Sequence, residues 1–87
     1  MIVNKKTWYI RFEPNIIDEK KLILYNKFTE KLYLLPEIYY IYLKNIENLD
    51  LCYRIIQDKY LIENSYAKDL VIEMKNKLLD LGVLSND

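Results

Sequence analysis

Side chains that usually carry acid–base or nucleophilic chemistry are scarce in this chain. Its 87 residues include no histidine and a single cysteine, Cys52. The commonest general base is therefore missing, and no zinc site can be assembled at the usual ligand spacings. The only glycine is Gly82, which excludes the GxxxxGK and GxGxxG phosphate-binding loops. No pair of carboxylates stands out, so we expect a non-catalytic protein with no metal site and no cofactor.

The net charge and the distribution of apolar residues limit the kinds of partner and the cellular compartment that we expect. The chain has 13 basic and 13 acidic residues and a formal charge of zero. Because nucleic-acid binding draws most of its affinity from phosphate neutralisation, we expect no nucleic-acid partner. The first six residues lack the apolar core of a signal peptide, and no apolar run approaches the ~20 residues that cross a bilayer. We therefore expect a cytoplasmic protein with no membrane partner.

The last helical pattern, at about 65–81, carries more apolar surface than one core face needs. Ile72 and Leu79 fall outside its core stripe, and Lys68 and Lys75 lie between them and that stripe. One interpretation is that Ile72 and Leu79 cover the edge of a sheet. The other is that they form a groove wall for an apolar peptide. The core stripe itself has helical period and comprises Ala67, Leu70, Val71, Met74, Leu78 and Leu81.

A second candidate surface is the edge of the last predicted strand, at about 31–35. If strand order follows the sequence, one side of this strand has no neighbour. Its N–H and C=O groups can then accept an additional strand, a recurring mode of peptide binding. The alternative is that residues 1–6 or 83–87 cover this edge. Together with the outer apolar strip of the last helix, a free edge would form a cleft.

Three strands are predicted to build the sheet that presents this edge. In the first, Trp8, Ile10 and Phe12 alternate with more polar residues, and Pro14-Asn15 is expected to end the strand. The other two are short apolar runs, joined by a hairpin loop over residues 26–30. The predicted strands cover about 7–13, 21–26 and 31–35.

Three helices are predicted to follow, at about 36–44, 49–60 and 65–81. Pro36 is expected at the first helical position, Asn48 as the N-cap of the second helix, and Asn64 or Ser65 as the N-cap of the third. Gly82 stands where a left-handed residue ends a helix. Because strands precede helices, the sequence predicts a single α+β domain, with a three-stranded antiparallel meander packed on three helices.

The tyrosines and the cysteine can each be interpreted as structural or as functional residues. Tyr39, Tyr40 and Tyr42 either form a stacking platform for bases or pack at the edge of the core, and we favour packing. Cys52 lies on an apolar helical face, so we expect a buried, unreactive thiol.

Three segments of this layout resemble the PqqD-like family. These proteins are the recognition elements for precursor peptides in pathways that make ribosomally synthesised, modified peptides. Residues 22–35 resemble the family's paired strands and the entrance to its first helix, and residues 48–60 resemble its second helix, which ends in an aromatic residue. The segment Leu78-Leu-Asp-Leu-Gly-Val-Leu84 is similar to the family's closing pattern. The resemblance runs from about residue 20 to residue 84. Glu30 stands where the family often has a hairpin glycine, and Leu35-Pro36 replaces its usual Leu-Asn.

The resemblance implies a winged-helix-like fold that binds the leader of a precursor peptide as an extra antiparallel strand. It implies that this peptide lies between the third strand and the third helix. The partner would be a maturation enzyme, either a radical-SAM enzyme or, in lasso-peptide pathways, a leader-cleaving protease. Carried over by position, the peptide-binding residues are Leu32, Tyr33, Leu34 and Leu35 on the strand and Lys68, Ile72, Lys75, Asn76 and Leu79 on the helix.

Two other functions remain open from the sequence. A winged-helix DNA-binding regulator would need a basic face on the helix that meets DNA. A small toxin–antitoxin or inhibitor protein would be distinguished only by its partner.

Overall fold

The computed structural model describes residues 1–16 and 19–86. Its elements are β1 (Ile2–Val3), β2 (Trp8–Ile16), β3 (Glu19–Asn26), β4 (Leu32–Pro36), α1 (Glu37–Lys44), α2 (Leu49–Tyr60), α3 (Asn64–Leu81) and β5 (Leu84–Ser85). The predicted α+β class, with a three-stranded antiparallel sheet followed by three helices, is confirmed. In the described part of the chain, no helix combines the length and apolar character that crossing a membrane requires.

The main sheet has β3 at its centre, between β2 and β4. Leu22 of β3 pairs with Phe12 on one side and with Leu35 on the other. Because side chains alternate along a strand, Leu22 and Leu24 share the face that meets the helices, and both are fully buried. Trp8, Ile10 and Phe12 of β2 share this face, as their alternation predicted. Trp8 is buried, Ile10 packs against the core, and Phe12 stacks on Tyr40 of α1.

The core lies between this sheet face and the three helices. Helix α1 contributes the adjacent residues Ile41 and Tyr42, and α2 contributes Cys52 and Ile56, which are one helical turn apart. The predicted stripe of α3 is confirmed at Ala67, Val71, Met74 and Leu78, which are buried. Leu70 and Leu81 are half-buried at its margins.

A small second sheet joins the two ends of the described chain. Ile2 pairs with Ser85 and Val3 with Leu84. The carbonyl of Gly82 accepts hydrogen bonds from Asn4 Nδ2 at 2.8 Å and from Trp8 Nε1 at 3.1 Å. The sequence did not predict this pairing. It engages residues 2–3 and 84–85 with each other, rather than with β4.

The predicted end of the first strand at Pro14 is wrong, because β2 continues to Ile16. Proline is tolerated on an edge strand, where its missing N–H removes no ladder bond. The pairing with β3 does shift in register between Glu13 and Ile16. Pro14 therefore coincides with an irregular pairing of β2 and β3, although β2 does not end there.

Two of the predicted helix starts also differ from the structure. Pro36 has an extended ψ of 158° and is the N-cap of α1 rather than its first residue. For α3, the N-cap is Glu63 and not Asn64 or Ser65, since the helical ladder begins with the bond from Ala67 N–H to the Glu63 carbonyl. The Asn48 cap of α2 is confirmed, because its side-chain oxygen accepts the N–H of Leu51 at 3.2 Å.

The tyrosines of α1 pack rather than form an open platform, as we favoured. Tyr42 is buried in the core. The ring of Tyr40 stacks on Phe12 of β2, with 4.1 Å between centroids and 8° between planes. These contacts hold α1 against the sheet.

Left-handed backbone conformations occur at Gly82, at Glu30 and at Leu61, the residue that ends α2. Gly82 ends α3 with φ 81°, as predicted. In the β3–β4 hairpin, the Asn26 side chain accepts the N–H groups of Phe28 and Thr29, and Glu30 has φ 61°. Glu30 thus adopts the conformation that a hairpin glycine would take without strain.

Opposite changes in stability are expected when Gly82 and Glu30 are replaced. Gly82→Ala should lower the free energy of unfolding by about 1 kcal/mol, since an L side chain is strained in this region. An added Cβ there meets no atom within 4 Å, so the effect isolates backbone strain. Glu30→Gly should be neutral or stabilising by up to about 1 kcal/mol. Urea unfolding of both variants measures this, and a loss of stability in Glu30→Gly matching that of Gly82→Ala would contradict it.

Candidate functional site

The outer edge of β4 presents unpaired main-chain groups. Within the described residues, β4 pairs with β3 alone. The first bond of the hairpin joins the N–H of Asn26 to the carbonyl of Lys31 at 2.9 Å. Because bonded and non-bonded pairs alternate in an antiparallel ladder, the odd-numbered residues of β4 direct their main-chain groups toward β3. Leu32 and Leu34 direct theirs away, to the free side.

The side chains of β4 divide between the two faces of the sheet. Leu32 and Leu34 lie on the outer face and are 58% and 50% exposed. Tyr33 is half-buried on the inner face, where its ring lies 5.8 Å from that of Trp8. Leu35 belongs to the core. Of the four strand residues predicted for the site, Leu32 and Leu34 therefore offer both main chain and side chain to a partner.

The outer face of the sheet continues this apolar surface. Tyr9 pairs with Tyr25, and Tyr25 pairs with Leu32, so these three side chains form a row across the strands. Ile23 and Leu34 form a neighbouring pair. Sequence analysis did not identify this surface, because the outer residues of each strand are spread among polar ones and become adjacent only through strand pairing.

The helix residues predicted for the site lie on α3. Leu79 is half-buried and packs against the core. The ammonium group of Lys68 lies 5.6 Å from the centre of the Tyr53 ring, a distance typical of a cation–π contact. The remaining predicted side chains are exposed to solvent, namely Ile72, Lys75 and Asn76.

Helix α1 links the two halves of the predicted site. It packs against both β4 and α3, whereas α3 packs mainly on α2, α1 and β5. Burial, and then the nearby carboxylate of Glu73 on α3, raise the pKa of Tyr39 on α1. The structure therefore gathers the β4 residues in one place and the α3 residues in another, with α1 between them.

Exposed charges on α3 are balanced in sign. Three lysines and three carboxylates project into solvent: Lys68, Lys75, Lys77, Asp69, Glu73 and Asp80. The exposed charges of the whole helix therefore sum to zero.

A separate cavity of about 850 Å³ lies beside β2 and the C-terminal part of α1. None of the nine predicted site residues lines it. Its lining comes from the N-terminal segment, the β3–β4 hairpin, β2, β3 and α1 with the residues that follow it. No periodic pattern joins such distant segments, so sequence analysis did not find it.

Comparison of this chain with protein-family models, with curated proteins and with solved structures finds no match. The likeness to the PqqD-like family therefore remains a prediction from the sequence.

Cys52, the chain's single thiol, lies in the core. Its side chain is fully buried, and burial raises the pKa of the thiol. Because the thiolate is the nucleophilic form, the location of Cys52 disfavours reactivity. In the described part of the chain, no group of three histidine, cysteine or acidic residues could hold a metal ion.

We expect Cys52 to resist alkylation in the native protein at pH 7.5 and to react once urea unfolds the chain. The folded state holds the thiol proton more tightly than the unfolded state does. The associated stability is therefore complete below the ordinary thiol pKa of about 8.5 and is lost as pH rises through the raised value. Urea unfolding between pH 7 and 10 should show this loss of stability. Cys52→Ala has no thiol, so its stability should not show the part of the loss that is due to Cys52. Rapid labelling of the native protein by iodoacetamide would contradict the burial of Cys52.

Proposed function

We propose that this chain is a non-catalytic, cytoplasmic adaptor that binds the leader region of a ribosomally synthesised precursor peptide. The leader adds as a strand to the free edge of β4. The adaptor then presents the precursor to a maturation enzyme, either a radical-SAM enzyme or a leader-cleaving protease. The observation that carries this proposal is the uncovered edge of β4, with its outward main-chain groups at Leu32 and Leu34.

Strand addition suits the chemistry of this edge. Main-chain hydrogen bonds supply affinity, and contacts with alternate side chains supply specificity. Every second residue of the added strand would lie beside Leu32 and Leu34 on the outer face. The intervening residues would lie on the inner face, on the side of Tyr33 and the α1–α3 surface. The pairing of β1 with β5 leaves the edge open to such a partner.

An adaptor of this kind acts by raising the effective concentration of the precursor at the enzyme. It needs no catalytic group of its own. A leader affinity in the micromolar to nanomolar range corresponds to about −8 to −12 kcal/mol, which a short strand with a few apolar contacts can supply.

The balanced charge of α3 does not favour the alternative of a winged-helix DNA-binding regulator, because duplex binding needs a basic face. A gel-shift assay at low salt tests it. A retarded band on duplex DNA, with no binding of a precursor leader, would support that alternative over the adaptor. No observation in the structure favours a toxin–antitoxin or inhibitor function.

We propose that the leader also reaches α3 across α1, as the resemblance implies, and Ile72→Glu tests this by adding a charge where an apolar contact is expected. The probe is a synthetic leader peptide, taken from any short open reading frame that lies beside the gene, and it is titrated into ¹⁵N-labelled protein. We expect at least tenfold weaker binding and an unchanged melting temperature, because Ile72 is 55% exposed.

Tyr66→Glu is the matched control for this experiment. Tyr66 lies on the same helix and is equally exposed, at 55%, but it projects from a different side. This variant should bind the leader like the wild type. Leu79 is less suited to the test, since it packs against the core. Equal weakening by both glutamate variants would contradict a site on the Ile72 side of α3.

The β4 half is tested by removing one outward N–H. Leu34→Pro should abolish strand addition and keep the fold, because that N–H points away from β3 and proline is tolerated on edge strands. Leu34→Ala shortens the side chain but keeps the N–H, so it should weaken leader binding only a few-fold. If a folded Leu34→Pro variant binds as well as Leu34→Ala, strand addition at β4 is wrong.

A further inference from the structure

The cavity beside β2 has apolar walls and is open to solvent on one side. Nine of its 13 lining residues are aliphatic or aromatic, and the six that carry the argument come from β1, β2, β3 and α1 with the residues that follow it. They are Val3, Ile10, Leu22, Tyr40, Leu43 and Ile46. At about 850 Å³, the cavity is at the upper end of the size of small-molecule sites.

Its charged lining is predominantly positive. Lys5, Lys27 and Lys44 border it, together with one carboxylate, Glu47. Lys27 Nζ donates to the Lys5 carbonyl at 3.2 Å, and Lys44 Nζ lies 5.8 Å from the centre of the Tyr40 ring. In the described part of the chain, none of these three lysines is paired with a carboxylate. A chain of zero net charge thus places unpaired positive charge around one apolar cavity.

The free edge of β2 contributes main-chain groups on the same side. The N–H of Lys27 donates to the Thr7 carbonyl at 2.8 Å, so the alternation of the ladder directs Trp8 and Ile10 away from β3. The N–H of Trp8 is already bonded to the Asn4 carbonyl at 3.0 Å. The N–H and carbonyl of Ile10 remain directed to the free side of the strand.

We propose that this cavity is a second docking site, which binds an extended acidic segment of a partner protein by strand addition at Ile10. Apolar side chains at alternate positions in the middle of the segment fill the cavity, and carboxylates before and after this apolar part, on the same face of the strand, meet Lys5, Lys27 and Lys44. An outward-facing strand edge and an open side favour a peptide over a small amphiphile, which would leave these main-chain groups unused. The apolar walls favour protein over nucleic acid. This inference stands whether or not β4 binds a leader.

Two docking edges on one sheet have a consequence for assembly. Strands β2 and β4 are the opposite edges of the same three-stranded sheet, so occupation of one leaves the other free. If β4 holds a precursor leader, the β2 site is positioned to hold an acidic segment of the enzyme that receives it.

Two synthetic peptides of opposite charge test the site. One is an acetylated, amidated octapeptide, Glu-Glu-Val-Ser-Val-Ser-Glu-Glu, whose two valines share one face of the strand with glutamates before and after them, and the other has lysine in place of each glutamate. Each is titrated into the ¹⁵N-labelled full chain at low salt. We expect the acidic peptide to bind at least tenfold more tightly than the basic one, with amide shifts centred on residues 8–10 and 43–47. Shifts centred on residues 32–35, or equal binding of both peptides, would overturn the proposal.

Paired charge reversals provide the matched control. The Lys27→Glu, Lys44→Glu variant should bind the acidic peptide at least tenfold less tightly. The Lys68→Glu, Lys75→Glu variant carries the same charge change on α3 and should bind it with less than a threefold change. Loss of binding in the α3 variant alone would assign the acidic peptide to the other surface and overturn the proposal.

Three control measurements check that the variants fold and that no other kind of ligand binds the cavity more tightly. Thermal melts check that each variant folds, and Lys27→Gln with Lys44→Gln replaces the reversal if it does not. Dodecanoate and a 16-base-pair duplex DNA are titrated as alternative occupants. Tighter binding of either one at residues 8–10 and 43–47 than of the acidic octapeptide would overturn the assignment to a protein segment.

Discussion

The register of β3 is the constraint on which the rest of the structure depends. This central strand buries Leu22 and Leu24 completely and alternates its main-chain bonds between β2 and β4. A slip of one residue would turn both leucines toward solvent. The same register decides which residues of β2 and β4 direct main-chain groups outward. Core burial and the chemistry of both edges are therefore fixed by one strand.

Each outer strand of the sheet includes a proline, a residue typical of protected edges. Pro14 lies within β2 and Pro36 ends β4. Between these limits, the outward groups at Ile10, Leu32 and Leu34 stay open and are flanked by apolar side chains. A short edge bounded by proline discourages indefinite sheet extension. It fits the proposed addition of one peptide strand better than non-specific aggregation.

Several features that follow from local pattern were predicted from the sequence, although the exact starts of α1 and α3 were not. The alternation from Trp8, the stripe of α3 and the left-handed Gly82 were all visible, because each depends on neighbouring residues. Contacts between distant segments were not visible. The β1–β5 pair, the burial of Leu35 and the basic cavity beside β2 arise only when the ends, the hairpin and α1 meet. The end of β2 was predicted wrongly at Pro14, because an edge strand can continue through a proline and the sequence does not show which strands are at the edge.

Amide hydrogen exchange, followed by NMR, tests most directly whether β4 accepts a peptide strand. In the free protein, the amides of Leu32 and Leu34 should exchange rapidly, and those of Tyr33 and Leu35 slowly, because only the latter face β3. A saturating precursor leader should slow Leu32 and Leu34 by at least tenfold. Protection of Leu32 and Leu34 in the free protein, or rapid exchange at both in the saturated complex, would contradict the account.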